Sequence, residues 1–290
     1  MDYTPESIPD PKRLFALRSL GFAEEPFSPS ADPRFFYLSS QHRDTLTRCR
    51  SVIEFRQGLA VVEGDYGIGK STIARRLDSL YRYNPDQYYV VYIDNASLYD
   101  SEMDILSDIA AACKITKSGG KLALIRALQS FVVEQMGTYN RNIVLILDDA
   151  QKISSSALSV IHTIYNFDQA KKLVQIILFA QPEIKTVFEE RPEVRSRVHS
   201  WLKLTELPPD EAYLLINYRC KIAGRDSNLL DRSQFLRIWA MTGGLPRYLI
   251  TMSSLIVEQV GEQNKQAVDD DVIEAAIAEF KVGAPRRASR

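Results

Sequence analysis

The octapeptide Gly64-Asp65-Tyr66-Gly67-Ile68-Gly69-Lys70-Ser71 carries the spacing G-x-x-x-x-G-K-[ST] of a phosphate-binding loop. Its flanks are the ones that spacing requires, an apolar strand-like run over 59–63 and a helical pattern over 71–83. Glycines let a backbone wrap a polyphosphate with its N–H groups turned inward, and the following helix adds positive potential at its start. Lys70 supplies a point charge to the β- and γ-phosphates, and the Ser71 hydroxyl supplies a ligand for Mg²⁺. ATP and Mg²⁺ are thus the expected cofactors, held by residues 64–71 together with Thr72.

Outward from the loop, apolar runs alternate with helical patterns. Residues 88–93 read as a strand and 102–113 and 122–136 as helices. Residues 143–147 read as a buried strand, 156–166 as a helix and 173–180 as another apolar strand. Strands apolar on both faces, alternating with helices, predict a parallel sheet covered on two sides. The strand over 143–147 ends in Asp148-Asp149. A carboxylate there lies at the sheet's C-terminal edge, so Asp148 is the expected Mg²⁺ partner and Asp149 the residue that orients the attacking water.

Three further positions read as candidates, each beside a plainer alternative. Gln181, just past the strand over 173–180, is placed to sense the γ-phosphate or simply to end the strand. Arg195 and Arg197 form either an arginine finger for a neighbouring subunit or a solvated basic turn. Arg247, after Gly243-Gly244-Leu245-Pro246, either folds back on the phosphates or belongs to an ordinary helix start. The three histidines, His42, His162 and His199, have no metal-ligating companions in the sequence.

The rest of the chain sets bounds. At 290 residues it is long for one average domain, and apolar residues at 45% with charged residues at 25% mark an ordinary globular composition. With 36 Lys+Arg against 37 Asp+Glu, any affinity for nucleic acid must come from local patches. No run is long enough to span a bilayer, and no secretory signal is visible at Met1. Three scattered cysteines suit a reduced interior, so a cytoplasmic location without a membrane partner is expected. A secreted disulfide scaffold, a membrane protein and a fibre are excluded. Residues 1–40, punctuated by proline, predict an irregular arm, with one short helix around 12–20. The α/β core is expected over 41–205. After it, helical spacing over 210–223, 231–241, 247–260 and 270–280 predicts a small all-helical lid over 206–280, then a basic tail, 281–290.

This order of motifs resembles that of AAA+ ATPases. Leu20-Gly21-Phe22, Pro26-Phe27, Phe35-Phe36-Tyr37-Leu38-Ser39, His42, Asp148-Asp149-Ala150-Gln151, Gln181-Pro182-Glu183 and Gly243-Gly244-Leu245-Pro246-Arg247 resemble the ExeA-type branch more closely. That branch includes secretion and pilus-assembly ATPases and the TnsC-type target-selection ATPases of transposons. The resemblance implies that Lys70 and Ser71 bind MgATP, that Asp148 is the Walker B carboxylate, and that Gln181 and Arg247 are the two sensors. Where the family usually has Glu, this chain has Asp149, one methylene shorter, and hydrolysis is expected to be slow.

The resemblance implies a regulator that oligomerises as a ring or filament on duplex DNA and recruits a transposase with a target-site selector protein. The alternative is a soluble ExeA-like ATPase of a secretion or pilus-assembly system, whose membrane-anchored members carry a membrane segment and a further domain. A third reading is a nucleotide-switched scaffold without a DNA role. On the TnsC-type resemblance, Thr116, Lys117 and Lys121 stand where a DNA-facing loop is expected, able to contact phosphates without reading sequence.

Overall fold

In the computed structural model, residues 10–28, 32–116, 119–168 and 172–283 are described. Helices α1 (Pro11–Ser19) and α2 (Ser40–Glu54) precede β1 (Leu59–Glu63), and α3 (Lys70–Arg82) follows the glycine-rich loop. Then come β2 (Tyr88–Ile93), α4 (Glu102–Ala112), α5 (Lys121–Gly137), β3 (Asn142–Leu147), α6 (Ser155–Tyr165) and β4 (Val174–Ala180). Two short helices, α7 (Ile184–Glu189) and α8 (Pro192–Arg195), lead into β5 (Val198–Lys203). The chain continues as α9 (Pro209–Ile222), α10 (Arg232–Thr242), α11 (Pro246–Glu262) and α12 (Asp270–Gly283).

The five strands form one parallel sheet in the order β2-β3-β4-β1-β5. Every residue of β1, β3 and β4 is buried, which is why these three read as predominantly apolar runs, interrupted only by the buried polar Glu63, Asn142 and Gln175. The edge strand β5, Val198-His199-Ser200-Trp201-Leu202-Lys203, has one buried residue. It carries neither an apolar run nor a clean alternation, so the sequence reading passed over it. Parallel crossovers put all five C-terminal strand ends at one rim, and β4 lies between β1 and β3 there. The loop after β1, the Asp148-Asp149 pair after β3 and Gln181 after β4 are therefore neighbours by topology.

The chain divides into two units, residues 40–205 and a helical unit built from 206 onward together with the segment before residue 40. This corrects the expectation of a separate irregular arm. Ala16, Leu20, Phe22, Phe27 and Phe35 are buried in one apolar cluster with Leu215, Phe235, Met252 and Ile256. Helix α1 packs on α11 so closely that a Cβ at Gly261 would lie 2.4 Å from the Lys12 carbonyl oxygen. Arg13 makes a forked contact with Glu25 and donates to the Ser254 carbonyl at 2.8 Å. The expected tail also begins later, since α12 continues to Gly283; residues 284–290 lie outside the described ones.

Candidate nucleotide-binding site

β1 delivers the loop to the rim. The Gly64 N–H donates to the Ala180 carbonyl at 3.1 Å and the Leu204 N–H to the Glu63 carbonyl at 2.8 Å, so strands on both sides hold its base. Gly67 and Gly69 have φ of +78° and +105°, backbone that side chains rarely adopt, and Gly69 is the N-cap of α3. Ile68 is buried and pins the loop to the core, while Tyr66 at its tip is exposed.

Lys70 is 5% exposed, and its ammonium donates to the carbonyls of Gly64 at 2.8 Å and Asp65 at 3.0 Å. Burial lowers its pKa, and the charges of Asp149, Asp148, Asp65 and Glu183 oppose that fall. Asp148 is 1% exposed. Its backbone is fixed by the Ile93 carbonyl and the Ala96 N–H, both at 2.9 Å. Its carboxylate accepts from the Tyr92 hydroxyl at 3.2 Å and the Asp149 N–H at 2.9 Å, and the nearby Ser71 favours its charged form. Burial raises its pKa, and those hydrogen bonds resist the rise. The donor set fits Mg²⁺: the Ser71 hydroxyl and the Asp148 carboxylate are both hard oxygen ligands on one rim, where phosphate and water can complete a shell.

Asp149 adopts the left-handed region with φ +49°, and its carbonyl accepts from the Ser97 hydroxyl. Asp tolerates that backbone better than most side chains, which gives the shorter acid at this position a conformational rationale. Gln181 is half-buried at the end of β4, with its carbonyl taking the Ile184 N–H at 3.1 Å. The structure thus brings Lys70, Ser71, Asp148, Asp149 and Gln181 to one rim. Thr72 is half-buried in the first turn of α3.

Two of the other expected residues lie elsewhere in the core. Arg195 ends α8 and Arg197 precedes β5, both exposed at the opposite, N-terminal rim of the sheet. Leu59 pairs with Val198 there, so roughly 15 Å of strand separates these arginines from the loop of their own chain. Arg247 is exposed in the first turn of α11, within the helical unit. Thr116 is exposed, Lys121 pairs with Glu102, and Lys117 lies outside the described residues.

Sequence reasoning missed three contributors. His42, part of the ExeA-type resemblance but given no role in the sequence, is 2% exposed with Nε2 3.0 Å from the Ile68 carbonyl oxygen. Tyr92 supports Asp148, and Glu183 adds negative charge near Lys70. Glu183 lies two residues past Gln181, whereas His42 and Tyr92 reach the site from α2 and β2 through the fold, not along the chain.

Sheet order, loop and carboxylate define the core as an AAA-type P-loop unit, and residues 53–188 match the family described as AAA domain. The chain is 25% identical over 234 residues, 79% of its length, to general secretion pathway protein A of Aeromonas hydrophila, and it spans 42% of that protein. In fold it resembles the ORC2 protein of Aeropyrum pernix in ADPNP–ADP complexes. There the TM-score is 0.65 at 18% identity, covering 88% of this chain and 71% of that one. The ORC1 protein of Aeropyrum pernix in complex with DNA gives a TM-score of 0.61 at 16% identity, covering 88% and 68%. At those identities the likeness to the solved structures is one of fold. Among the described residues, no helix is long and apolar enough to cross a membrane.

Proposed function

We propose that this chain is a MgATP-dependent AAA+ ATPase in which nucleotide acts mainly as an assembly switch. The observation that carries the reading is the buried Asp148 at the end of β3 on the same rim as the loop that encloses the Lys70 ammonium and leads into Ser71. Mg²⁺ held there would neutralise charge on the phosphate oxygens. The chain's own residues do the rest: the loop N–H groups orient the phosphates, Lys70 adds a fixed positive charge, and Asp149 positions the water. Gln181, between the two halves, is suited to register the γ-phosphate. Arg195 and Arg197 are too far from their own loop, so their reading is as donors to a neighbour's nucleotide within a homo-oligomer, with Arg247 as the second sensor.

The chemistry is tested by phosphate release. Asp148→Asn keeps the shape and removes the charge, and it is expected to abolish Mg²⁺-dependent turnover. Asp149→Glu lengthens the acid and is expected to raise turnover by about 10–100-fold, since misplacement near an ångström costs about that much. A fast native enzyme, left unchanged or slowed by Asp149→Glu, would speak against the switch.

For the setting, similarity to a general secretion pathway protein over 79% of the chain favours a secretion-system ATPase over the transposon regulator. The proposed DNA loop gains little, because the Lys121 ammonium already pairs with Glu102. Sedimentation with a non-hydrolysable ATP analogue separates the two. The secretion reading expects nucleotide-dependent assembly that is indifferent to duplex DNA. The transposon reading expects co-sedimentation with DNA of any sequence, lost steeply with added salt as counterion release predicts.

A further inference from the structure

α2 crosses beneath the phosphate loop with His42 facing it, and Nε2 lies 3.0 Å from the Ile68 carbonyl oxygen. A carbonyl only accepts, so Nε2 carries the hydrogen and donates it. The Nε2 corner of the ring also crowds the next residue: a Cβ at Gly69 would meet Nε2 at 2.9 Å, Cε1 at 3.5 Å and Cδ2 at 3.7 Å. The neighbouring Gln41 anchors the start of α2. Its amide nitrogen donates to the Thr205 carbonyl at 2.6 Å, and its Oε1 accepts from the Thr205 N–H at 3.0 Å. The histidine is therefore held at both the helix and the loop.

The peptide between Ile68 and Gly69 is trans, as is every peptide bond among the described residues. In a trans peptide the C=O and N–H vectors are antiparallel. Fixing the Ile68 carbonyl toward the buried imidazole turns the Gly69 N–H the other way, to the side of the loop where an anion sits. That peptide is the one most prone to flip, since Gly69 accepts both signs of φ. We propose that His42 is a positioning residue of the nucleotide site: it locks the 68–69 peptide so that the Gly69 N–H is presented to the phosphates. It touches no phosphate itself, and it makes glycine obligatory at 69 by occupying the place of a Cβ.

The proposal rests on the nucleotide-binding reading, and its test separates the two. His42→Gln keeps a donor nitrogen the same number of bonds from Cα, whereas His42→Leu has similar bulk and no donor. Affinities for ADP and for adenosine are measured by competition against a fluorescent ATP analogue, with thermal melting followed alongside. His42→Leu is expected to bind ADP about tenfold more weakly than the native chain, the size of one lost hydrogen bond to an anion-binding frame. Adenosine affinity is expected to hold, and His42→Gln to recover most of the loss. Equal ADP affinity in the Leu and Gln variants overturns the proposal, as does a loss that is the same for adenosine and ADP. A purely structural histidine would lower the melting temperature without that dependence on phosphate. Lys70→Ala is run in parallel. If it too binds ADP normally, the nucleotide site itself is misassigned; if it loses ADP while Leu and Gln match the native chain, only the role of His42 falls.

Discussion

Lys70→Ala is expected to lower MgATP affinity by more than about 100-fold, measured by calorimetry, while the chain stays folded. The ammonium is nearly enclosed, and its two carbonyl partners, Gly64 and Asp65, belong to the loop itself, so the charge is aimed by the same backbone that would surround the phosphates. Charge-assisted contacts of this kind are about twice as strong as neutral ones, and a loss of about 2.7 kcal/mol is a factor of about 100. Burial makes the charge costly, and four carboxylates, Asp149, Asp148, Asp65 and Glu183, sustain it. Alanine removes the cation and leaves that acidic field to repel the nucleotide. Native-like affinity in this variant would refute the site.

The second large effect concerns stability in the helical unit. Arg219 is 6% exposed and donates to three carbonyls of the segment before the core: Pro26 at 2.7 Å, Ser28 at 3.0 Å and Phe35 at 3.2 Å. Its guanidinium lies 5.1 Å from the Phe35 ring centroid. Burial pulls its pKa down to about 10, so it is still charged at neutral pH. Arg219→Ala would strand those acceptors in an apolar setting, and hydrogen bonds to charged groups contribute about 1.5–3 kcal/mol each, not additively. A loss of about 3 kcal/mol or more is expected, seen as a melting temperature lower by roughly 6–12 °C. Arg219→Lys should fare little better, because one ammonium cannot span three separated carbonyls. A shift under about 2 °C would mean that water replaces the guanidinium at little cost.

The phosphate loop, its strand and the Asp148 strand were legible because their chemistry is local. Spacing alone puts Lys70 and Ser71 at a helix start, and burial on both faces makes β1, β3 and β4 largely apolar. The short helix around 12–20 was legible and is α1, but the rest of the segment before residue 40 misled because proline reads as irregularity, whereas Pro33 opens a helical turn behind the aspartate cap Asp32. Its partners lie in α9 and α11, more than a hundred residues along the chain, and no local pattern reports them. β5 escaped for the opposite reason, since an edge strand satisfied by one neighbour needs no apolar signature. His42 illustrates the remainder: its contact with the loop depends on where α2 crosses the core, which spacing does not encode.

The helical unit is discontinuous in sequence, with the whole core inserted between its first helix and the other four. The Lys12–Glu262 contact bridges a separation of 250 residues. Synthesis runs from the N-terminus, so α1 leaves the ribosome long before α9–α12 exist, and the core can finish folding in the interval. The apolar face of α1, with Ala16 and Leu20, must then wait unburied until α11 emerges. Closure over so long a span carries an entropic cost that a folded core reduces by shortening the effective loop. Maturation of the helical unit is in this way gated by prior completion of the nucleotide-binding unit, and a nascent chain arrested before α11 would expose a ready target for a chaperone.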